Sequence, residues 1–133
     1  MADTFRFELV SPERVLLSED AEHVVVPGSE GDLGVLPGHA PLVATLRPGV
    51  LNIELPGKKR RVFIRGGFAE VEPDRLTVLA ETAFDVEGSD AAARIAAELE
   101  AAGSALAEAS DDQARLAAQD ARDSLKGLQH ART

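Results

Sequence analysis

Cysteine is absent from the 133 residues, which excludes disulfide bonds and thiolate metal centres. No stretch approaches the roughly 20 consecutive apolar residues that a membrane-spanning helix requires. The N-terminal MADTFRFELV lacks the basic flank and apolar run of a signal peptide, so the chain is expected to remain cytosolic. Cations are scarce too, with 14 Lys and Arg against 23 Asp and Glu and a net charge of -9. Nucleic-acid affinity comes largely from cations that neutralise phosphates, so this balance argues against DNA or RNA as a ligand and favours solubility.

Catalytic and metal-binding patterns are equally thin. His23, His39 and His130 are scattered, and no HxxH or HExxH spacing brings two of them together. Ser29, Asp32 and His39 invite comparison with a hydrolytic triad, but no nucleophile elbow leads into a helix, and the glycines around them suit turns. Gly28, Gly31, Gly34 and Gly38 do not make a phosphate cradle, since GxxxxGK[ST] is missing and the interleaved Glu30 and Asp32 would repel phosphate. The run Lys58, Lys59, Arg60, Arg61 reads as a solvated hairpin tip whose cations discourage edge-to-edge strand pairing, with a docking patch as the alternative.

What the chain does contain changes character near Glu87-Gly88. Up to Glu87 lie all five Phe and nearly all Val and Ile, in short apolar runs punctuated by Pro and Gly. That rhythm, with turns about every 8 to 12 residues, predicts a sandwich or barrel, and 44% hydrophobic residues suffice for its core. Phe5, Phe7 and Leu9 share one face against Arg6 and Glu8, and Leu51, Ile53 and Leu55 oppose Asn52 and Glu54, each a half-buried pattern of period two. Pro56-Gly57 predicts a turn that sends the chain back into Arg61 to Ile64. Gly66-Gly67 reads as a turn or bulge.

From Gly88 to Thr133 there are fifteen alanines, no aromatic residue and no valine, a composition that favours helix. Ile95, Leu99, Ala102 and Leu106 recur at helical spacing, and Ala114, Ala117, Ala121, Leu125 and Leu128 form a second stripe. A two-helix antiparallel hairpin is predicted, broken at Ser110, where Ser110 and Gln113 have capping-box spacing and Asp111 and Asp112 put negative charge at a helix start. The predicted organisation is therefore an all-β sandwich over residues 1–87 and an α-helical hairpin over 88–133. Because alanine offers little apolar area, the hairpin seam is expected to be shallow, and Gly103 weakens it further. That suits either an element that changes partner or a small permanent appendage.

GSEGDLGVLPGHAPLVATLRPG, from Gly28 to Gly49, and IRGGFAEVEPDRLTVLAETA, from Ile64 to Ala83, resemble two conserved blocks of the ε subunits of bacterial F-type ATP synthases (δ in mitochondria). The resemblance implies a non-catalytic rotor subunit of the central stalk. It would be held by the γ subunit and the c-ring, coupling proton translocation to ATP synthesis while lying peripherally on the cytoplasmic side of the bacterial inner membrane. The Gly28 to Gly49 loop would face the ring, with Glu30, Asp32 and His39 at or near the interface and Asp32 as the contacting acid. By the same resemblance the hairpin can extend along γ towards the α and β subunits and restrain ATP hydrolysis. Its last helix carries Arg115, Arg122, Lys126 and Arg132 against Asp111, Asp112, Asp120 and Asp123, a weak lure for an acidic surface.

Some members of this family bind ATP through [IL]DxxRA at the first hairpin helix. The matching stretch here is SDAAARIA. Asp90 and Arg94 are present but one residue further apart, Ser89 replaces the aliphatic residue and Ile95 follows the Arg. Weak or absent ATP binding is expected, with Asp90 as N-cap or first-turn acid and Arg94 as its i,i+4 partner. No cofactor is implied. Two other classes stay open from the residues alone, namely a stand-alone sandwich adaptor that binds a partner helix and a small hydrolase built around His39.

Overall fold

A computed structural model describes residues 3–131. Ten strands precede two helices: β1 Phe5–Val10, β2 Val15–Ala21, β3 His23–Gly28, β4 Gly31–Val35, β5 Leu42–Leu46, β6 Gly49–Leu55, β7 Lys58–Ile64, β8 Gly67–Glu72, β9 Arg75–Ala80, β10 Ala83–Asp85, α1 Ala91–Glu108 and α2 Asp112–Ala131. The expected β-sandwich followed by a helical hairpin is what forms.

The strands make two sheets that share one seam. One runs β10-β7-β6-β3 with β4 on the far edge of β3, the other β5-β8-β9-β1-β2, and the pair Gly28 with Leu46 joins them. Neighbours are antiparallel except β1 and β9, which run parallel. Leu46 also pairs with Gly67, which pairs with Ala80. At this corner the backbones crowd, and a Cβ on Gly67, whose φ is 151°, would run into the carbonyl oxygen of Leu79. Only glycine combines that φ with that approach. At the opposite end of β6, Pro56-Gly57 closes the two-residue hairpin into β7, with Leu55 opposite Lys58 and Gly57 at φ 77°. This is the positive φ that the Pro-Gly pair predicts.

Alternation fills the space between the sheets. Phe5, Phe7 and Leu9 from β1, Val24 and Val26 from β3, Leu51, Ile53 and Leu55 from β6, and Leu76 and Val78 from β9 are all buried in one cluster. Each large side chain removed from water contributes about 1.5–3 kcal/mol before entropy is subtracted. β7 departs from the pattern, since its last three residues, Val62, Phe63 and Ile64, are all buried. Val62 and Ile64 belong to the sandwich core, whereas Phe63 belongs to a second cluster with Phe84, Val86, Ile95, Leu125 and Leu128. The hairpin therefore lies folded against the outer face of β6, β7 and β10.

Two details of the hairpin differ from the sequence reading. Asp111, not Ser110, caps α2: its carboxylate accepts a hydrogen bond from the Ala114 N–H at 2.7 Å, and its carbonyl accepts one from the Arg115 N–H. A carboxylate both caps the exposed donors and opposes the dipole, which a hydroxyl one residue earlier cannot do as well. The second stripe is also shifted at its start. Ala114 and Ala117 are exposed, and Ala118 takes their place beside Ala121, Leu125 and Leu128. Ala114 and Ala117 instead line a partly open pocket of about 220 Å³ at the seam, bordered also by Ala118, Ala121, Pro48 and Phe63 among others. Methyl groups alone do not fill it.

Gly103 and Gly127 sit inside the two helices, and a Cβ at either would meet nothing within 4 Å. Gly103→Ala and Gly127→Ala are therefore each expected to stabilise the hairpin by about 0.5–1 kcal/mol, read as a higher urea midpoint by circular dichroism at 222 nm. An unchanged or lowered midpoint would contradict an open helical site at these positions.

Candidate functional site

The loop-bearing end of the sandwich is built on the seam between the sheets. Its backbone is anchored by hydrogen bonds from Ser29 N–H to the Thr45 carbonyl at 2.9 Å and from Arg47 N–H to the Pro27 carbonyl at 2.9 Å. Gly38 N–H donates to the Pro73 carbonyl at 2.7 Å, tying the loop after β4 to the β8–β9 turn. On this frame Glu30 is exposed and has no side-chain partner among the described residues. Asp32 is different. Its carboxylate accepts a hydrogen bond from Arg47 Nη2 at 2.7 Å, while Nη1 of the same guanidinium donates to the Gly28 carbonyl. His39 is half-buried, and its Nδ1 donates to the carbonyl of Ala40 at 2.7 Å. No hydrogen bond links Ser29, Asp32 and His39 among the described residues, so the geometry assembles no triad.

Between the β3–β4 turn and β5 runs an open groove of about 500 Å³ lined by Glu30, Asp32, Leu42 and Val43 among others. Leu36, Leu42 and Val43 are exposed at this end, Val43 by 70%. The apolar surface continues across the outer face of the second sheet. Phe68 pairs with Leu79, Leu79 with Val10, and Val10 with Val15. Phe68, Leu79 and Val15 are about half exposed. These residues form a row perpendicular to four strands, a span of about 14 Å at the usual strand spacing. The next rows on the same face carry Glu70 and Glu8, then Glu72, Arg75 and Arg6. Sequence reasoning passed over this row. Its signal was a phase error: in GFAEVE and RLTVLA, Phe68 and Leu79 fall on the polar beat of the alternation.

At the start of the hairpin, Asp90 occupies the N-cap position of α1 with its carbonyl accepting the Arg94 N–H at 3.0 Å, but its side chain makes no capping bond. The expected i,i+4 ion pair between Asp90 and Arg94 does not form. Arg94 instead lays its guanidinium over the ring of Phe84, 5.0 Å from the centroid, and Phe84 in turn packs on Phe63 at 5.4 Å. A flat cation over an aromatic face keeps its outer donors in water, whereas pairing with Asp90 would give up that contact.

The basic run is consumed internally. Lys58 pairs with Glu19, Lys59 with Glu54, Arg60 with Asp85 and Glu19, and Arg61 with Glu87. It offers no free cationic patch. His23 lies 3.8 Å from Glu54, and among the described residues no three His, Asp or Glu side chains converge as metal ligands. No helix among them is long and apolar enough to cross a membrane. The arrangement thus offers contact surface and acids.

Similarity to known proteins points the same way. A sequence profile described as the ATP synthase Delta/Epsilon chain beta-sandwich domain matches residues 4–86. The chain is 48% identical over 131 residues to the ATP synthase epsilon chain of Parvibaculum lavamentivorans, covering 98% of each. It is 51% identical over 134 residues to that of Rhodospirillum rubrum, covering 99% of this chain and 98% of the other. Among solved structures, a chain from the OSCP/F1/c-ring assembly of Euglena gracilis mitochondrial ATP synthase superposes with a TM-score of 0.72 at 28% identity, covering 98% of this chain and 82% of that one.

The Arg94 contact is directly measurable. Arg94→Ala is expected to cost about 0.5–1 kcal/mol in denaturant unfolding, the range for an exposed cation–π contact, and Asp90→Asn is expected to cost almost nothing. Equal costs for the two would indicate that the ion pair, not the ring contact, prevails in solution.

Proposed function

The chain belongs to the ATP synthase delta/epsilon family, and from that premise we propose that it is the non-catalytic central-stalk subunit of an F-type ATP synthase, coupling proton translocation through the c-ring to ATP synthesis. The observation that carries this reading is the apolar row of Phe68, Leu79, Val10 and Val15 on the outside of a sandwich whose core is otherwise closed. Apolar surface gathered on one face and rimmed by charge suits a protein partner. We assign that face to the γ subunit. The neighbouring end, with Glu30, Asp32, His39, Leu36, Leu42 and Val43, goes to the polar loops of the c-ring. The protein is then peripheral to the membrane, on the cytoplasmic side of a bacterial inner membrane.

Its work is done by contact. Torque passes between ring and shaft through a body that does not deform, and a closed core of interlocked side chains between two sheets supplies that stiffness. The hairpin supplies the adjustable part. Its folded position rests on a few large side chains and a partly empty seam, so a modest difference in contact energy suffices to favour a second position along γ, near the α and β subunits, that restrains ATP hydrolysis. The acids of α2, Asp112, Asp120 and Asp123, only match its described cations, Arg115, Arg122 and Lys126, and Asp111 at the cap adds one more negative charge; Arg132 lies outside the described residues. With Arg94 held on Phe84 and the [IL]DxxRA spacing absent, ATP is not a ligand of the resting state in this reading.

Phe68→Asp together with Leu79→Asp places charge where both side chains already meet water, so the isolated chain is expected to stay folded. In the assembly the same changes are expected to abolish retention of the chain by the membrane-bound ATP synthase, scored by co-purification. Normal retention would overturn the assignment of this face. Millimolar ATP is expected to leave the melting temperature of the isolated chain unchanged. A site filled at one hundred times its Kd would stabilise the fold by about 2.7 kcal/mol, and a rise of that size lost in Arg94→Ala would restore the nucleotide site.

A further inference from the structure

Arg47 lies between the β3–β4 turn, which its side chain holds, and the strand start on which the hairpin rests. Its guanidinium holds the β3–β4 turn through the Gly28 carbonyl and the Asp32 carboxylate, and its backbone N–H holds Pro27. The chain then passes directly into Pro48, Gly49 and Val50, which seat the hairpin. Pro48 borders the seam cavity beside Ala118, Ala121 and Leu125, and Val50 packs on the cluster that contains Ile95 and Leu125. Gly49 lies beside Pro27, where a Cβ would come within 2.9 Å of the proline ring, so a glycine lets the seat approach the end of β3 this closely. On the solvent side, a groove of about 440 Å³ is bounded by Asp32 and Arg47 on the sandwich and by Asp120, Asp123 and Ser124 on α2. Arg47 is the cation lining that groove.

We infer that Arg47 is a positioning residue that couples the β3–β4 turn to the docking of α2: the Asp32–Arg47 pair braces the Pro48–Val50 seat, and drawing Asp32 away loosens the hairpin. That the turn meets the c-ring rests on the assembly proposed above; the brace itself does not. A cationic group of a partner that competes for Asp32 would release Arg47 from one of its two side-chain bonds and transmit that release along three residues to the seam. The turn and the hairpin would then report on each other without touching.

The test is amide hydrogen exchange on the isolated full chain. In Asp32→Asn, the amides from Ala118 to Leu128 are expected to exchange about two- to fivefold faster than in the parent chain, the opening expected for loss of one exposed ion pair. Those of β1 and β9 are expected to keep their parent rates. Arg47→Gln is expected to speed the same α2 amides at least as much. The double variant is expected to be no faster than Arg47→Gln alone, because the two side chains act as one unit. Glu30→Gln, which removes a neighbouring acid with no side-chain partner, is expected to leave α2 unchanged. Unchanged or slowed exchange in α2 for Asp32→Asn, additive effects in the double variant, or an equal acceleration in β1 and β9 would each overturn the coupling. Because no partner is present, none of these outcomes depends on the assembly reading, which stands or falls on the retention of the Phe68 and Leu79 variants.

Discussion

Phe63 sits between the two halves of this protein, and most of what lies around it follows from keeping it dry. Its neighbours Val62 and Ile64 point into the sandwich, so by alternation Phe63 must point out, yet it is fully buried. Phe84 and the hairpin cover it. Burial of a side chain of this size contributes about 1.5–3 kcal/mol, comparable to the whole gain available from the alanines of the seam. Phe84 closes over it from β10, and Ile95, Leu125 and Leu128 close over it from the helices. The hairpin is thus placed by a small aromatic anchor and not by its own interhelical packing.

Charge reinforces that placement at its edges. Arg65, just beyond β7, forms a two-pronged bond with Glu98 of α1 at 2.7 Å, with the glutamate largely covered. Arg94 covers the exposed side of Phe84. These contacts are directional where the apolar seam is not, and they set the azimuth of α1 on the sheet. Docked this way, the hairpin leaves a cavity in place of a filled seam, so the interface is well located but weakly cohesive. Such a combination fits an element that keeps one resting position and remains able to leave it.

The sandwich answers to a different demand. Two sheets joined through Gly28, Leu46 and Gly67 enclose a core with no buried polar side chain among the described residues, which makes a stiff body. Its exposed apolar row and its acidic end are surface features carried on that body. They cost stability little because they sit on strands whose opposite faces are already packed. A rotor component needs this division, with rigidity inside and adhesion outside.

Local pattern was enough to place β1, β6, the end of β7 and the two helices. Period-two alternation in β1 and β6, the Pro56-Gly57 turn and the alanine-rich tail each encode their own conformation within a few residues. The two conserved blocks, GSEGDLGVLPGHAPLVATLRPG and IRGGFAEVEPDRLTVLAETA, sufficed to indicate the family. What residues far apart do to one another was not legible. Arg47 claims Asp32 from fifteen positions away, and Phe84 takes Arg94 from the acid four residues before it. The row from Phe68 to Val15 exists only because β8, β9, β1 and β2 are neighbours in that order. A sequence period reports which face a residue takes, but pairing partners depend on loop closure and on competition between alternative contacts across the whole chain. Those are settled only when the two sheets fold over one core.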